Sequence, residues 1–240
     1  MDREVTLMEM LEAREVRAGR QRELLERYAR PVVSFTLNIA GPVKNGPVIR
    51  RAFREGLLRL EDALAARGLR PLHQEEVDRP TGCEALWAVD GPARTVKELC
   101  AGIEDRDPLG RLFDLDVLDP EGGKWDREAL GLPPRPCLVC GKAGKGCASR
   151  RLHPVEEIQE KTQTILRDFF AEKDRKFLAA QGVRALLYEV CTTPKPGLVD
   201  RHNNGSHKDM DVFTFLDSTA ALLPYLERAA AIGQETAHMM

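Results

Sequence analysis

Gly110-Arg111-Leu112-Phe113-Asp114-Leu115-Asp116-Val117 sets two carboxylates two residues apart inside an apolar run. In a strand, residues i and i+2 share a face. Phe113, Leu115 and Val117 then face a core, and Asp114 and Asp116 stand together on the other side. Adjacent carboxylates repel, and each raises the other's pKa unless a cation lies between them. Mg²⁺, a hard ion that takes carboxylate and phosphate oxygens, is the expected resolution. Gly110 permits close backbone approach and Arg111 supplies a guanidinium suited to phosphate. An edge strand with a solvated polar face gives the same alternation. Phosphate chemistry is the working expectation.

Outward from that strand the chain reads as a mixed α+β unit. A helical stripe runs from Arg3 to Tyr28 and stops at Pro31, and Val32 to Ile39 reads as a strand rich in β-branched and aromatic residues. A helix is expected from Val48 to Arg67, with Phe53, Leu57, Leu60 and Leu64 on one side and Gly68 as its stop. Strands near Pro71–Val77 and Glu84–Val89 flank a turn at residues 79–82, and Thr95–Ile103 reads as a short helix. Residues 120–146, dense in Gly, Pro and Cys, read as loop. Beyond them Val155–Phe170, Asp174–Val190 and Phe213–Ile232 read as helices, the second interrupted near Gly182. The shift from mixed to all-helical composition places a boundary near residue 170.

Bulk properties narrow the class. With 42% hydrophobic residues the chain has enough apolar mass for a real core, and a net charge of −2 argues against a general nucleic-acid binder. There is no apolar run of about eighteen residues, so no membrane span is expected. The charged N-terminus, Met1-Asp2-Arg3-Glu4, does not read as a secretory signal. Cys83, Cys100, Cys137, Cys140, Cys147 and Cys191 are unevenly spread, which suits reduced thiols in the cytoplasm better than a disulfide framework.

Three other segments concentrate reactive groups. Cys137-x-x-Cys140, followed by Cys147 and His153, offers four candidate zinc ligands, although the second spacing is loose for a finger; a reduced structural cluster is the alternative. Lys44 lies in a Gly- and Pro-rich loop between a strand and a helix, without the Walker spacing, and reads as a phosphate contact or a plain connection. The helix behind it carries Arg50, Arg51, Arg54 and Arg59, a face that is either solvated or receives an acidic partner. Finally, Thr192–Arg201 and Gly205–Asp211 combine rigid turns, cations and the paired acids Asp209 and Asp211, the ingredients of a triphosphate–metal site.

Taken in order, Leu37–Lys44, Thr81–Glu84, Gly110–Val117 and Arg135–Cys140 through Cys147 and His153 resemble the citrate lyase holo-acyl-carrier-protein synthases. These are also called apo-citrate lyase phosphoribosyl-dephospho-CoA transferases. The tail, with Pro194–Arg201 and Gly205–Asp211, resembles the beginning of a triphosphoribosyl-dephospho-CoA synthase. The resemblance implies two segments: residues 1–170 as the transferase domain and 171–240 as an N-terminal fragment of the helical synthase, hence a truncated fusion with an inactive synthase part. It also implies a reaction. A serine of the acyl carrier (γ) subunit of citrate lyase attacks the α-phosphorus of 2′-(5″-triphosphoribosyl)-3′-dephospho-CoA, and pyrophosphate leaves. By fold-level analogy the acidic strand echoes nucleotidyltransferases.

That chemistry needs a metal and cations, so Asp114 and Asp116 are expected to ligate Mg²⁺, with one acid as base. Arg111 and Lys44 are expected to clamp phosphate, with Gly110 beside them. In the tail, Lys195, Arg201 and His207 are candidate substrate contacts and Asp209 and Asp211 candidate metal ligands. Arg50, Arg51 and Arg54 are the candidate carrier-docking face. Two other readings stay open: a non-catalytic zinc-stabilised carrier-binding module, and a synthase using ATP and dephospho-CoA.

Overall fold

In a computed structural model, residues 3–121, 123–142, 146–147 and 150–181 are described. The chain divides into two units, residues 1–166 and 167–240. The first holds a five-stranded antiparallel sheet, built of β1 (Val32–Leu37), β2 (Arg70–Arg79), β3 (Gly82–Asp90), β4 (Phe113–Leu118) and β5 (Lys124–Trp125), in the order β2-β3-β1-β4-β5. Its helices are α1 (Leu7–Tyr28), α2 (Pro47–Ala66) and α3 (Ala93–Asp105), and α4 (Val155–Gln181) begins in it.

Register divides the sheet into a dry face and a polar one. On the dry face Val33, Phe35 and Leu37 of β1 lie opposite Val117, Leu115 and Phe113 of β4, since directly paired residues of an antiparallel ladder share a face. Phe35 stacks on Phe53 of α2 at 4.8 Å and meets Phe113 edge-on at 5.4 Å. Each such fully buried side chain contributes about 1.5–3 kcal/mol. Gly56 makes this packing possible: a Cβ there would sit 2.2 Å from Phe35 Cζ. The β4 alternation is as the sequence implies, with Phe113, Leu115 and Val117 buried and Asp114 and Asp116 only partly so.

On the other face, Val32, Ser34 and Thr36 line up with Ala88, Leu86 and Glu84 on one side and with Leu118, Asp116 and Asp114 on the other. Helix α1 covers only the β2-β3-β1 part. Leu24 packs with Val32, Leu86 and Ala88, while Arg17 pairs with Glu84 and Arg20 with Glu75. The helix starts at Leu7, later than its periodicity suggests. Thr6 is its N-cap, and Thr6 and Glu9 cap each other's backbone N–H reciprocally.

Most elements fall where patterning puts them, including the stop of α2, where Gly68 takes a left-handed φ of +67°. Three expectations fail. Residues 120–146, expected as loop, hold the short strand β5, which pairs with Val117 and Leu118, and a 3₁₀ turn at Glu128–Leu130. Helix α4 runs unbroken from Val155 to Gln181, with no interruption at residues 171–173, because Ala171, Glu172 and Lys173 are all compatible with helix. Arg59 is not part of an exposed arginine face. It is 5% exposed, forks onto Asp107 at 2.8 and 3.1 Å, and lies over the Phe113 ring at 5.4 Å. The expected end of the second helix and the helix at Phe213–Ile232 lie outside the described residues.

Candidate active site

Strand β4 is second from the end of its sheet, and β5 covers only Val117 and Leu118. The outward-pointing backbone groups of Phe113 and Leu115 are therefore left without a strand. Side chains take their place. Lys97 Nζ donates to Leu115 O at 2.7 Å, Leu115 N–H donates to Glu104 Oε1 at 2.9 Å, and Arg135 Nη1 donates to Phe113 O at 2.6 Å. Buried backbone groups must be satisfied, and here charged groups do it. Lys97 and Glu104 are 4% and 2% exposed. Both lie on the buried stripe of α3 with Cys100 and Ala101, at i, i+3, i+4 and i+7.

From this edge a charged network leads to the acidic pair. Glu104 faces Arg127 at 3.6 Å and Arg135 at 3.7 Å, and Arg135 reaches Asp114 at 3.6 Å. Asp116 pairs with Lys124 at 2.8 Å. Burial pushes the Asp114 carboxyl above its usual range and the neighbouring Asp116 adds to this, against Arg135 and Lys124. Burial likewise raises Glu104, despite Arg135 and Lys97. The Arg111 guanidinium is held below its ordinary value by burial and by Arg135. It donates to Pro136 O, while its Nη1 is buried without a hydrogen bond.

These groups line a cavity of about 1050 Å³. Asp114 and Asp116 come from the sheet, Lys97 and Glu104 from α3, and Lys124, Arg127, Arg135 and Leu138 from the segments after β4. Arg111 lines it too, and Cys137, Cys147 and His153 form part of its wall. Carboxylates beside several cations suit a ligand that carries both phosphate and metal.

Two sequence candidates take different places. Gly110 is buried in the 3₁₀ turn before β4, where a Cβ would stand 2.6 Å from Ile103 O and 2.7 Å from Glu104 O. Its close approach is to α3. Lys44 is not among the residues lining the cavity. Its ammonium donates to Ile39 O, and burial together with Arg14 lowers its pKa. Lys195, Arg201, His207, Asp209 and Asp211 lie outside the described residues. Sequence reasoning gave no role to Lys97, Glu104, Lys124, Arg127 and Arg135. The detectable signal was a Lys and a Glu seven apart on an otherwise apolar helix stripe.

The four candidate zinc ligands do come together. Their donor atoms all lie within 4.8 Å of one another. The Cys140 thiol is drawn down to about 6, chiefly by the Lys142 backbone N–H and then by His153.

Residues 5–169 match the family model described as apo-citrate lyase phosphoribosyl-dephospho-CoA transferase. The chain belongs to this family. Residues 175–240 match a second model, ATP:dephospho-CoA triphosphoribosyl transferase, so two family segments follow one another. Protein CitXG of Haemophilus influenzae is 37% identical over 98% of this chain and 50% of its own length. Protein CitXG of Leuconostoc mesenteroides subsp. cremoris is also 37% identical, over 96% of this chain and 51% of its own. The chain thus spans about half the length of these curated relatives. The apo-citrate lyase phosphoribosyl-dephospho-CoA transferase of Escherichia coli O7:K1 is 35% identical over 68% of this chain and 90% of its own. Asp114, Asp116, Arg111 and the Cys/His cluster all fall inside the transferase segment. No helix among the described residues is long and apolar enough to cross a membrane.

Proposed function

We propose that residues 1–170 transfer the phosphoribosyl-dephospho-CoA group from its triphosphate precursor to a serine of the apo acyl carrier subunit of citrate lyase. The observation that carries this reading is the Asp114–Asp116 pair, set among Arg111, Arg127, Arg135 and Lys124 in one cavity. The serine oxygen forms a bond to the α-phosphorus, the bond from that phosphorus to the bridging oxygen breaks, and pyrophosphate carries the electron pair away. One of the two carboxylates takes the serine proton as general base.

The hard oxygen donors of Asp114 and Asp116, adjacent on one face, fit Mg²⁺, which would neutralise triphosphate charge there. Arg111 and Arg135 orient the phosphates from the wall, and burial around them strengthens each contact by excluding water. Lys124 holds Asp116 before the substrate arrives. In this reading the acidic strand has a nucleotidyltransferase-like role, the reaction is cytoplasmic, and Arg50, Arg51 and Arg54 receive the carrier. Residues 171–240 form the beginning of the ATP-using synthase, with Lys195, Arg201 and His207 on phosphate and Asp209 and Asp211 on metal. Gly110 packs the turn before β4 against α3 and so sets Arg111 at the site; Lys44, engaged with Ile39 O, has no role there in this reading.

The test is to incubate the chain with Mg²⁺, the triphosphoribosyl-dephospho-CoA precursor and apo carrier, and to weigh the carrier intact. A mass gain equal to the prosthetic group, absent with Asp116→Asn in a folded protein, is expected. An unmodified carrier with active substrates, or full turnover by Asp116→Asn, would overturn the assignment.

A further inference from the structure

The loop that closes the cavity wall is built like a metal site. Cys137 and Cys140 sit on a tight turn closed by Gly141 N–H to Cys137 O at 3.0 Å and Cys137 N–H to Lys142 O at 2.6 Å. Gly141 follows with φ +72°, a conformation glycine takes without steric cost. This turn aims two sulfurs to one side. Cys147 and His153 arrive from the returning chain, where Leu152 N–H donates to Cys147 O at 3.1 Å.

The distances favour coordination. A tetrahedral ion with zinc–sulfur bonds of about 2.3 Å holds its ligand atoms roughly 3.8 Å apart. Cys140 Sγ and Cys147 Sγ are 3.5 Å apart, and all four donor atoms lie within 4.8 Å. That sulfur separation is far beyond the roughly 2.05 Å of a disulfide.

A second observation comes from the histidine. His153 Nδ1 is 3.3 Å from Glu157 Oε2, one turn along, at the start of α4. A carboxylate on one ring nitrogen orients the other as a ligand, the usual support for a metal-bound histidine. His153 Nε2 is that other nitrogen; it is buried and makes no hydrogen bond of ordinary geometry, and the imidazole stands in a cluster with the three sulfurs. A buried polar atom left bare is costly unless something satisfies it.

We propose that Cys137, Cys140, Cys147 and His153 bind one zinc ion in a closed, structural Cys₃His site. On binding, three thiols release their protons to solvent and the neutral imidazole coordinates through Nε2, leaving the site with a charge of −1. All four positions are filled by protein, so the ion has no open position for a substrate. Its role is to fix the wall. Arg135 lies two residues before Cys137, and Pro136 between them accepts the Arg111 hydrogen bond. The ion therefore holds Arg135, and through Pro136 the anchor of Arg111, by way of the backbone. This site stands whether or not the proposed transfer reaction does.

The test begins with zinc analysis of the full chain, purified under reducing conditions without chelator. About one zinc per chain is expected for a site of this kind, retained by Cys83→Ala and lost from the Cys137→Ser/Cys147→Ser double variant. Cobalt exchanged into the wild-type chain should give the absorption of a tetrahedral thiolate complex. To separate loss of zinc from misfolding of the double variant, the wild-type chain is also stripped with chelator and followed by hydrogen exchange. Residues 133–153 should exchange faster, β1 and β3 should be unchanged, and added zinc should restore protection. Three results would overturn the proposal: a chain that takes up no zinc when offered it, an octahedral cobalt spectrum, or zinc kept by the double variant.

Discussion

Glu104 supports the outer edge of β4 as a hydrogen-bond acceptor and a filler of space, and its charge is a burden. The distinction can be measured with two substitutions. Glu104→Ala removes the acceptor of Leu115 N–H, which is buried. An orphaned buried donor costs about 1–3 kcal/mol, and the lost methylene about 0.8 kcal/mol more. Together the loss is about 3 kcal/mol, which in a chain of this size lowers Tm by roughly 6–12 °C. Glu104→Gln keeps the shape and the acceptor oxygen.

The Gln variant follows from the direction of the pKa shift. Burial raises Glu104 above its ordinary 4.5 even with Arg135 and Lys97 close by, so in the fold the neutral form is favoured relative to the unfolded chain. Wild-type stability therefore falls as pH rises from the unfolded pKa to the raised folded value, and stays reduced above it. At neutral pH Glu104→Gln avoids that loss and should be at least as stable as wild type. Urea denaturation followed by tryptophan fluorescence measures both, since Trp87 and Trp125 lie in β3 and β5. Equal destabilisation by the two substitutions would mean that charge pairing, not the hydrogen bond and the volume, holds the strand edge. An Ala variant as stable as wild type would remove the edge argument altogether.

Asp114→Asn should abolish transfer yet raise Tm near pH 7. The folded pKa of Asp114 is raised, so the stability gain should vanish below the ordinary 3.8, where the wild-type carboxyl is protonated in both states; a gain that persists there would refute the cause. Lys124→Ala should shift the acid limb of the transfer profile upward, because it removes a cation that lowers Asp114, and an unmoved limb would separate that limb from Asp114. Gly110→Ala should cost about 1–3 kcal/mol by overpacking against the Ile103 and Glu104 carbonyls, as read by urea denaturation. Reversing charge at Arg50 and Arg54 should weaken carrier affinity while leaving Tm unchanged, measured by calorimetric titration with apo carrier.

The period-two alternation at Phe113–Val117 showed both the strand and its two faces, because a strand that buries one face has no other register to adopt. Other local rules found β1, from its β-branched and aromatic residues, and α2, from its apolar stripe of helical period. What patterning could not show is how the polar face is closed. Asp114 and Asp116 need partners drawn from α3, from β5 and from the loop at residues 126–136, and these are brought together by tertiary structure. Arg59 illustrates the converse. Five residues beyond Arg54 it is turned about 140° away from it, toward the side of buried Ala52 and Gly56, and Asp107 and the Phe113 ring take it inside. A loose spacing between Cys147 and His153 argued against a finger, but spacing matters only for ligands on one rigid element. Here one turn supplies two sulfurs, and a separate return of the chain supplies the third sulfur and the imidazole. Lys97 and Glu104 join these cases. Two charges on an apolar helix stripe look like an interruption of the core pattern, but they are the groups that let β4 carry an acidic face beside an incomplete sheet edge.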